Sequence, residues 1–202
     1  GRTIGWMLRG PADGRTVGYL HGQPGSRHDV RAFTEETLSR AGVRLLAIDR
    51  AGYGNTSPAG MDRRDVSRDL LTVADHLEIG EFPVIAVSMG GVYALALAAI
   101  ASDRVSRIVL VSAHTMPYDD PEIVAGLSAA EQADVAQLRQ GRTAELEAEY
   151  AAMATSLAND SVELLRSLAD GWGPRERSLV ETPFGSAVAA SITFGLAAGH
   201  VG

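Results

Sequence analysis

The chain has 202 residues, 46% hydrophobic and 21% charged, with a formal net charge of −7. This size and balance fit one globular domain with a real core, exclude a disordered chain, and argue against nucleic acid as a partner. With no cysteine there can be no disulfide, no thiolate metal site and no thiol nucleophile.

Taken in order, Thr3 to Gly10 reads as a strand, stopped by Gly10-Pro11 and a polar turn through Gly14. Arg15–Leu20 reads as a second strand, antiparallel to the first through that loop. The turn His21-Gly22-Gln23-Pro24-Gly25 follows. Residues 29–41 have a helical pattern, with Gly42 as the stop signal. Val43–Ile48 is a third strand, and Asp49-Arg50-Ala51-Gly52-Tyr53-Gly54-Asn55-Thr56-Ser57-Pro58 a long loop. Asp62 can cap a helix running to about Glu78, with Val66, Leu70, Val73 and Leu77 on one face.

The next stretch carries the chemistry. Pro83–Val87 is an apolar run that reads as a buried strand and ends abruptly at Ser88; Met89-Gly90-Gly91 leads into the Ala/Leu-rich helix Val92–Ala101. A serine at the tip of a strand-to-helix turn stands clear of the backbone and is open for attack. The sharp turn demands small residues two before and two after it, here Ala86 and Gly90. The first N–H groups of the helix lack partners within it and favour a developing oxyanion. An ordinary tight turn is the competing reading.

Val105–Val111 is a fifth strand, nearly continuous in apolar residues. Up to this point the alternation of strands and helices predicts an α/β fold, a mostly parallel doubly wound sheet. After His114-Thr115-Met116-Pro117 the pattern is helical almost throughout. Ser128–Glu131 and Asp160–Glu163 have capping-box spacing, and Gly126, Gly141, Gly171–Pro174 and Pro183 divide four or five helices. The expected organisation is a core over 1–116 and a helical cap or lid over 117–202.

Three motifs in this order, the turn at 21–25, the loop at 49–57 and Ser88 between strand and helix, resemble the α/β-hydrolase superfamily. The likeness is nearest to its proline-iminopeptidase-like and epoxide-hydrolase-like branch and covers about residues 3 to 115. The resemblance implies that Ser88 is the nucleophile and that the backbone N–H groups of Gln23 and Met89 form the oxyanion hole. Gly22 and Gly25 suit a backbone that must approach the reacting carbonyl. The Asp49-Arg50 pair is expected to be structural. A serine at 88 favours ester, thioester or amide hydrolysis over the aspartate-nucleophile chemistries of this fold.

The family order is Ser, then an acid, then His, the last two after strands that follow the cap. Those strand–helix units would need on the order of fifty more residues. The chain is therefore expected to be an incomplete or shortened hydrolase lacking its C-terminal strands, with the catalytic acid and His outside it. His114, just past the fifth strand, is the best substitute base present. His200 is a weaker one, His76 and His21 are expected to be structural, and His28 has no evident partner. With the later strands missing, the strand at 105–111 becomes an exposed apolar edge, which invites pairing with another chain.

The expected function is a serine hydrolase acting on a small ester or amide through an acyl-enzyme. Trp172, Tyr150, Met153 and Phe184 are candidates to shape an apolar pocket. The alternative is a non-catalytic small-molecule-binding protein on the same fold. No cofactor or metal is expected, since no His/Asp/Glu spacing makes a metal cluster. The opening residues lack a signal-peptide pattern, and the apolar stretches at 92–101 and 187–198 are too short and interrupted to span a bilayer. The expectation is a cytoplasmic protein with a small-molecule substrate, no nucleic-acid or membrane partner, and possible homo-oligomerisation.

Overall fold

The computed structural model describes residues 1–58, 62–113, 119–169 and 173–196. Five strands, β1 (Trp6–Arg9), β2 (Arg15–Leu20), β3 (Val43–Ile48), β4 (Phe82–Val87) and β5 (Val105–Val111), form one sheet in the order β1-β3-β2-β4-β5. All neighbours are parallel except β1, which runs antiparallel to β3 with Trp6 opposite Ile48 and Arg9 opposite Leu45.

This corrects the expected pairing of β1 with β2. β2 is the central strand, buried from Thr16 to Leu20, and both its edges are taken by parallel partners, β3 and β4. The chain from β1 must cross the start of β3, and it does so in contact. Gly10 has φ +119°, and a Cβ there would lie 2.5 Å from the Val43 carbonyl oxygen. A short hairpin loop therefore spans an intervening strand.

The expected helix at 29–41 is two pieces. A 3₁₀ turn over Arg27–Ala32 ends at the extended Phe33, and α1 (Glu35–Ala41) starts afresh with the Thr34 hydroxyl accepting from the Thr37 N–H. Thr34 is a second N-cap inside the apolar pattern, and a cap needs extended backbone, so one helix cannot run through it. Gly42 ends α1 in the left-handed region, as the sequence suggests. α2 (Arg63–His76) opens with a capping box between Asp62 and Asp65 and stops two residues earlier than expected. α3 (Gly90–Ile100) follows β4.

Helices cover both faces of the sheet. On one face Leu46, Ile48, Phe82 and Val84 pack with Leu70 and Val73 of α2 and Ala94 and Leu97 of α3. On the other, Val17, Tyr19, Leu45 and Ala47 pack beneath Val30 and Leu38. Along β3 the alternation is strict, with Leu45 and Ala47 on one side and Leu46 and Ile48 on the other, as a sheet buried on both faces requires.

Beyond β5 the described residues are helical: α4 (Pro121–Ala125), α5 (Ala129–Arg139), α6 (Thr143–Asn159), α7 (Ser161–Ala169), α8 (Pro174–Ser178), a 3₁₀ turn over Leu179–Glu181, and α9 (Pro183–Leu196). The Ser128/Glu131 capping box is formed, and Asp160 accepts from the Glu163 N–H. A third apolar cluster joins Tyr53, in the loop after β3, to Leu165, Ala189, Ile192 and Leu196. On the far edge, Val109, Leu110 and Val111 of β5 are 47, 43 and 44% exposed, the bare apolar edge expected from the sequence. No helix among the described residues is long and apolar enough to cross a membrane.

Candidate active site

β4 delivers Ser88 to the C-terminal rim of the sheet. The Ser88 N–H still donates to the Val111 carbonyl at 3.0 Å, so the strand pairing holds up to the serine itself. The chain then reverses. Ser88 has φ +50°, a left-handed conformation that a side chain normally avoids, and the Gly91 N–H already bonds the Ser88 carbonyl at 3.0 Å. Strain of this kind persists where the surroundings enforce it. Here the enforcement is the close approach of α3 to β2. A Cβ on Gly90 would sit 2.2 Å from the Leu20 carbonyl oxygen and 3.1 Å from that of His21. Ala86, on the other side of the serine, is fully buried.

The turn after β2 faces the serine. A Cβ on Gly22 would lie 3.1 Å from the Ser88 Cβ and 3.8 Å from its Oγ. Gln23 follows, then Pro24 through a cis peptide. Ser88, Met89 and Gln23 are all partly exposed. Among the described residues, neither the Gln23 nor the Met89 N–H has an acceptor within the chain. The sequence-predicted nucleophile and its two backbone donors thus stand at the ends of adjacent strands, β4 and β2, on one rim.

The polar groups around this rim are mostly committed to structure. His21 is buried; its Nδ1 lies 2.8 Å from the Gly22 carbonyl, and its Nε2 faces the Arg50 N–H at 3.4 Å. That pattern fixes a neutral ring with the proton on Nδ1. Burial, and secondarily the Arg50 charge, hold its pKa well below the ordinary histidine value. Arg50 donates through Nη1 to the His21 carbonyl at 2.7 Å, and its guanidinium lies over the rings of Tyr53 (4.7 Å) and Tyr93 (5.2 Å). Asp49 accepts from the backbone N–H of Arg27 at 2.8 Å, from that of Asn55 at 3.2 Å, and from the Arg27 guanidinium. The pair Asp49-Arg50 is therefore framework that ties two loops together, in keeping with the sequence reading.

His28 has a partner that the sequence did not reveal. Its ring stacks on Phe194 of α9, centroids 3.9 Å apart, and burial with Arg31 and Arg27 nearby lowers its pKa to about 4. His76 is exposed on α2. His114 and His200, weighed as bases, lie outside the described residues, as does Trp172; the Tyr150 side chain is likewise not described. Met153 and Phe184, the other candidates for an apolar pocket, are 47 and 48% exposed. Both sit on helix positions turned outward, where an apolar residue alone does not tell core from surface. A cavity of about 590 Å³ opens between the start of α2 and α3, lined by Asp62, Arg63, Arg64, Tyr93 and Ala96, and includes neither Ser88 nor Gln23. Among the described residues no group of His, Asp and Glu could hold a metal ion.

The sequence reasoning also missed Asp29, Ser191 and Gly195, which meet beside the turn at 22–26. Ser191 Oγ lies 2.5 Å from Asp29 Oδ1 and 2.7 Å from Ser26 Oγ. No local pattern could have paired residues 165 apart in the chain.

Comparison with known proteins agrees with this fold. A family model described as alpha/beta hydrolase fold matches residues 16–178. The chain is 30% identical over 114 residues to the dihydrolipoyllysine-residue acetyltransferase component of an acetoin cleaving system from Pseudomonas putida, covering 55% of this chain and 30% of that protein. It is 30% identical over 117 residues to the sn-1-specific diacylglycerol lipase ABHD11 of Danio rerio, covering 54% and 37%. It thus spans about a third of the length of these curated relatives. The crystal structure of a hydrolase from Pseudomonas aeruginosa superposes with a TM-score of 0.62 over 98% of this chain and 67% of that one, at 22% identity, a likeness of fold. With the family model spanning most of the sequence, and the strained serine where the fold sets its strand-to-helix turn, the chain belongs to the alpha/beta hydrolase fold family.

Proposed function

We propose that the chain carries the nucleophile and oxyanion hole of a serine hydrolase acting on a small ester or amide through an acyl-enzyme. The observation that carries this is the left-handed Ser88 at the head of α3, with Gly22 packed against its Cβ. Ser88 Oγ would attack the carbonyl carbon, and the oxygen left with the negative charge would accept from the Gln23 and Met89 N–H groups. Both amides lack other acceptors among the described residues and are preorganised by the strand ends, so little reorganisation accompanies charge development. Collapse of the adduct would expel the alcohol or amine, and water would release the acid.

Serine needs a base. His21 cannot serve, because its ring is sealed between Gly22 and Arg50, and His28 is stacked under Phe194. The base and its orienting acid are thus assigned outside the described residues. The helices after β5 form the cap, and α9 seats it over the loops at 25–28 and 54. The relatives' names include a lipase and a peptidase, which supports carbonyl chemistry without choosing a substrate.

A fluorophosphonate probe tests the reading. Label mapped by mass spectrometry to Ser88, and lost in Ser88→Ala while the fold is kept, is the expected result. No label in the full-length protein, with its base and acid present, or label elsewhere, would refute the nucleophile and favour a binding protein on the same fold. The engagement of His21 and His28 in structure is the observation on that side.

A further inference from the structure

The turn that carries Gln23 is held from two sides. From below it rests on Ser88 and on the His21 ring, whose Nδ1–H donates to the Gly22 carbonyl at 2.8 Å. From above it meets the last two turns of α9. A Cβ on Gly195 would lie 2.2 Å from the Gly25 carbonyl oxygen, so the helix backbone sits directly on the turn. The Gly54 N–H donates to the Gly195 carbonyl at 3.1 Å, which ties the loop after β3 to the same point.

Between these contacts runs a directional chain of hydroxyls. Ser26 and Ser191 are fully buried. Ser26 Oγ accepts from the His28 N–H at 3.2 Å, which leaves its proton for Ser191 Oγ at 2.7 Å. Ser191 then donates to Asp29 Oδ1 at 2.5 Å, and Tyr19 donates to Asp29 Oδ2 at 3.4 Å. The Ser191 hydroxyl also lies 3.5 Å from the Ser26 carbonyl, but the contact with Asp29 is far shorter and charge-assisted, so the chain runs toward the carboxylate. Apolar contact alone would attach α9 to the core. A buried hydrogen-bonded chain fixes its register against the turn as well, because any slip leaves a buried polar group unpaired. The Asp29 carboxylate also lies against the turn itself, since a Cβ on Gly25 would meet both its oxygens at 3.3 Å.

We infer that Ser191 and Gly195 of α9 are positioning residues for the oxyanion hole: through Ser26, Asp29 and Gly25 they hold the Gln23 N–H against Ser88. This rests on the reading of Ser88 and Gln23 given above. It makes the helical segment part of the catalytic geometry rather than a cover only, and assigns a functional consequence to residues that touch no substrate.

The experiment compares Ser191→Ala with Thr193→Ala in the whole 202-residue chain. Thr193 sits on the same helix but bonds Ser161 at 2.7 Å, away from the turn. Hydrogen–deuterium exchange of the peptide spanning residues 20–27 is the first readout. Exchange about three- to tenfold faster in Ser191→Ala, the loss of one net hydrogen bond, with β4 and the Thr193→Ala turn unchanged, is the expected result. Unchanged exchange in Ser191→Ala, or the same rise in Thr193→Ala, overturns the inference. The second readout is fluorophosphonate labelling of Ser88 at several probe concentrations. The maximal rate should fall about tenfold in Ser191→Ala, less than the roughly 10²–10³ lost when an oxyanion donor is removed outright, with the half-saturating concentration unchanged. A fall only in apparent affinity, or none, counts against positioning. If the unsubstituted chain takes no label, exchange alone decides whether α9 holds the turn.

Discussion

Replacing Gly90 with alanine puts the geometry of the serine turn under direct test. The new Cβ would stand 2.2 Å from the Leu20 carbonyl oxygen and 2.9 Å from its carbon, about 1 Å short of an ordinary contact. The obstructing atoms are backbone of β2, paired on both sides by β3 and β4, so the strand cannot yield. α3 must move outward instead, parting Ala94 and Leu97 from the core. Overpacking of this kind costs about 1–3 kcal/mol, here at its upper end, offset by about 1 kcal/mol of helix propensity. The net is a destabilisation of about 2 kcal/mol, or a Tm lower by about 4–8 °C for a chain of this size. Thermal melts and urea titrations followed by circular dichroism read it directly. Gly80→Ala is the control, since a Cβ there meets nothing within 4 Å. If Gly90→Ala proves as stable as Gly80→Ala, then α3 does not press on β2 and the account of why Ser88 is strained is wrong.

Ser88→Gly should abolish fluorophosphonate labelling yet raise stability by about 1 kcal/mol, because glycine takes φ +50° without a steric penalty; a destabilised variant would deny the strain. His21 and His28 are held neutral by burial and nearby arginines, so below about pH 6.5 the unfolded chain takes up protons that the folded chain refuses. Stability should therefore fall as pH drops from about 6.5 toward 4, and His28→Phe, which keeps a ring against Phe194, should flatten part of that slope in Tm measured against pH. Asp29, raised by burial, works in the opposite sense once the pH reaches its own range, so a Tm that is level across the window with no change in the variant would refute the histidine assignment. The bare edge of β5 should drive self-association, visible as a mass that rises with concentration in light scattering and falls in Val109→Lys; a monodisperse monomer at every concentration would show that the edge is protected.

Much of this was open to a reader of the residues, and the rest was closed for physical reasons. Ser88 was legible because its requirements are local: an apolar strand, a small residue on either side, and a helix beginning within three residues. The Asp62 and Ser128 caps were legible on the same ground. The place of β1 was not, since a hairpin-length loop normally joins neighbours and only tertiary packing inserted β3 between the two strands. The break at Thr34 was a propensity signal hidden inside an apolar period. His28 had no evident partner because Phe194 reaches it from the other end of the chain.

The docking of α9 has a consequence for how the molecule comes into being on the ribosome. The strands and the helices between them are synthesised first and can pair as they emerge, but Ser26 waits for Ser191, on the order of ten seconds of elongation later. A nascent chain can thus own the five strands and an exposed serine while the turn opposite it is still unfastened. The turn facing Ser88 would be fastened only once α9 has been made, so a half-made protein carries the serine beside a loose loop.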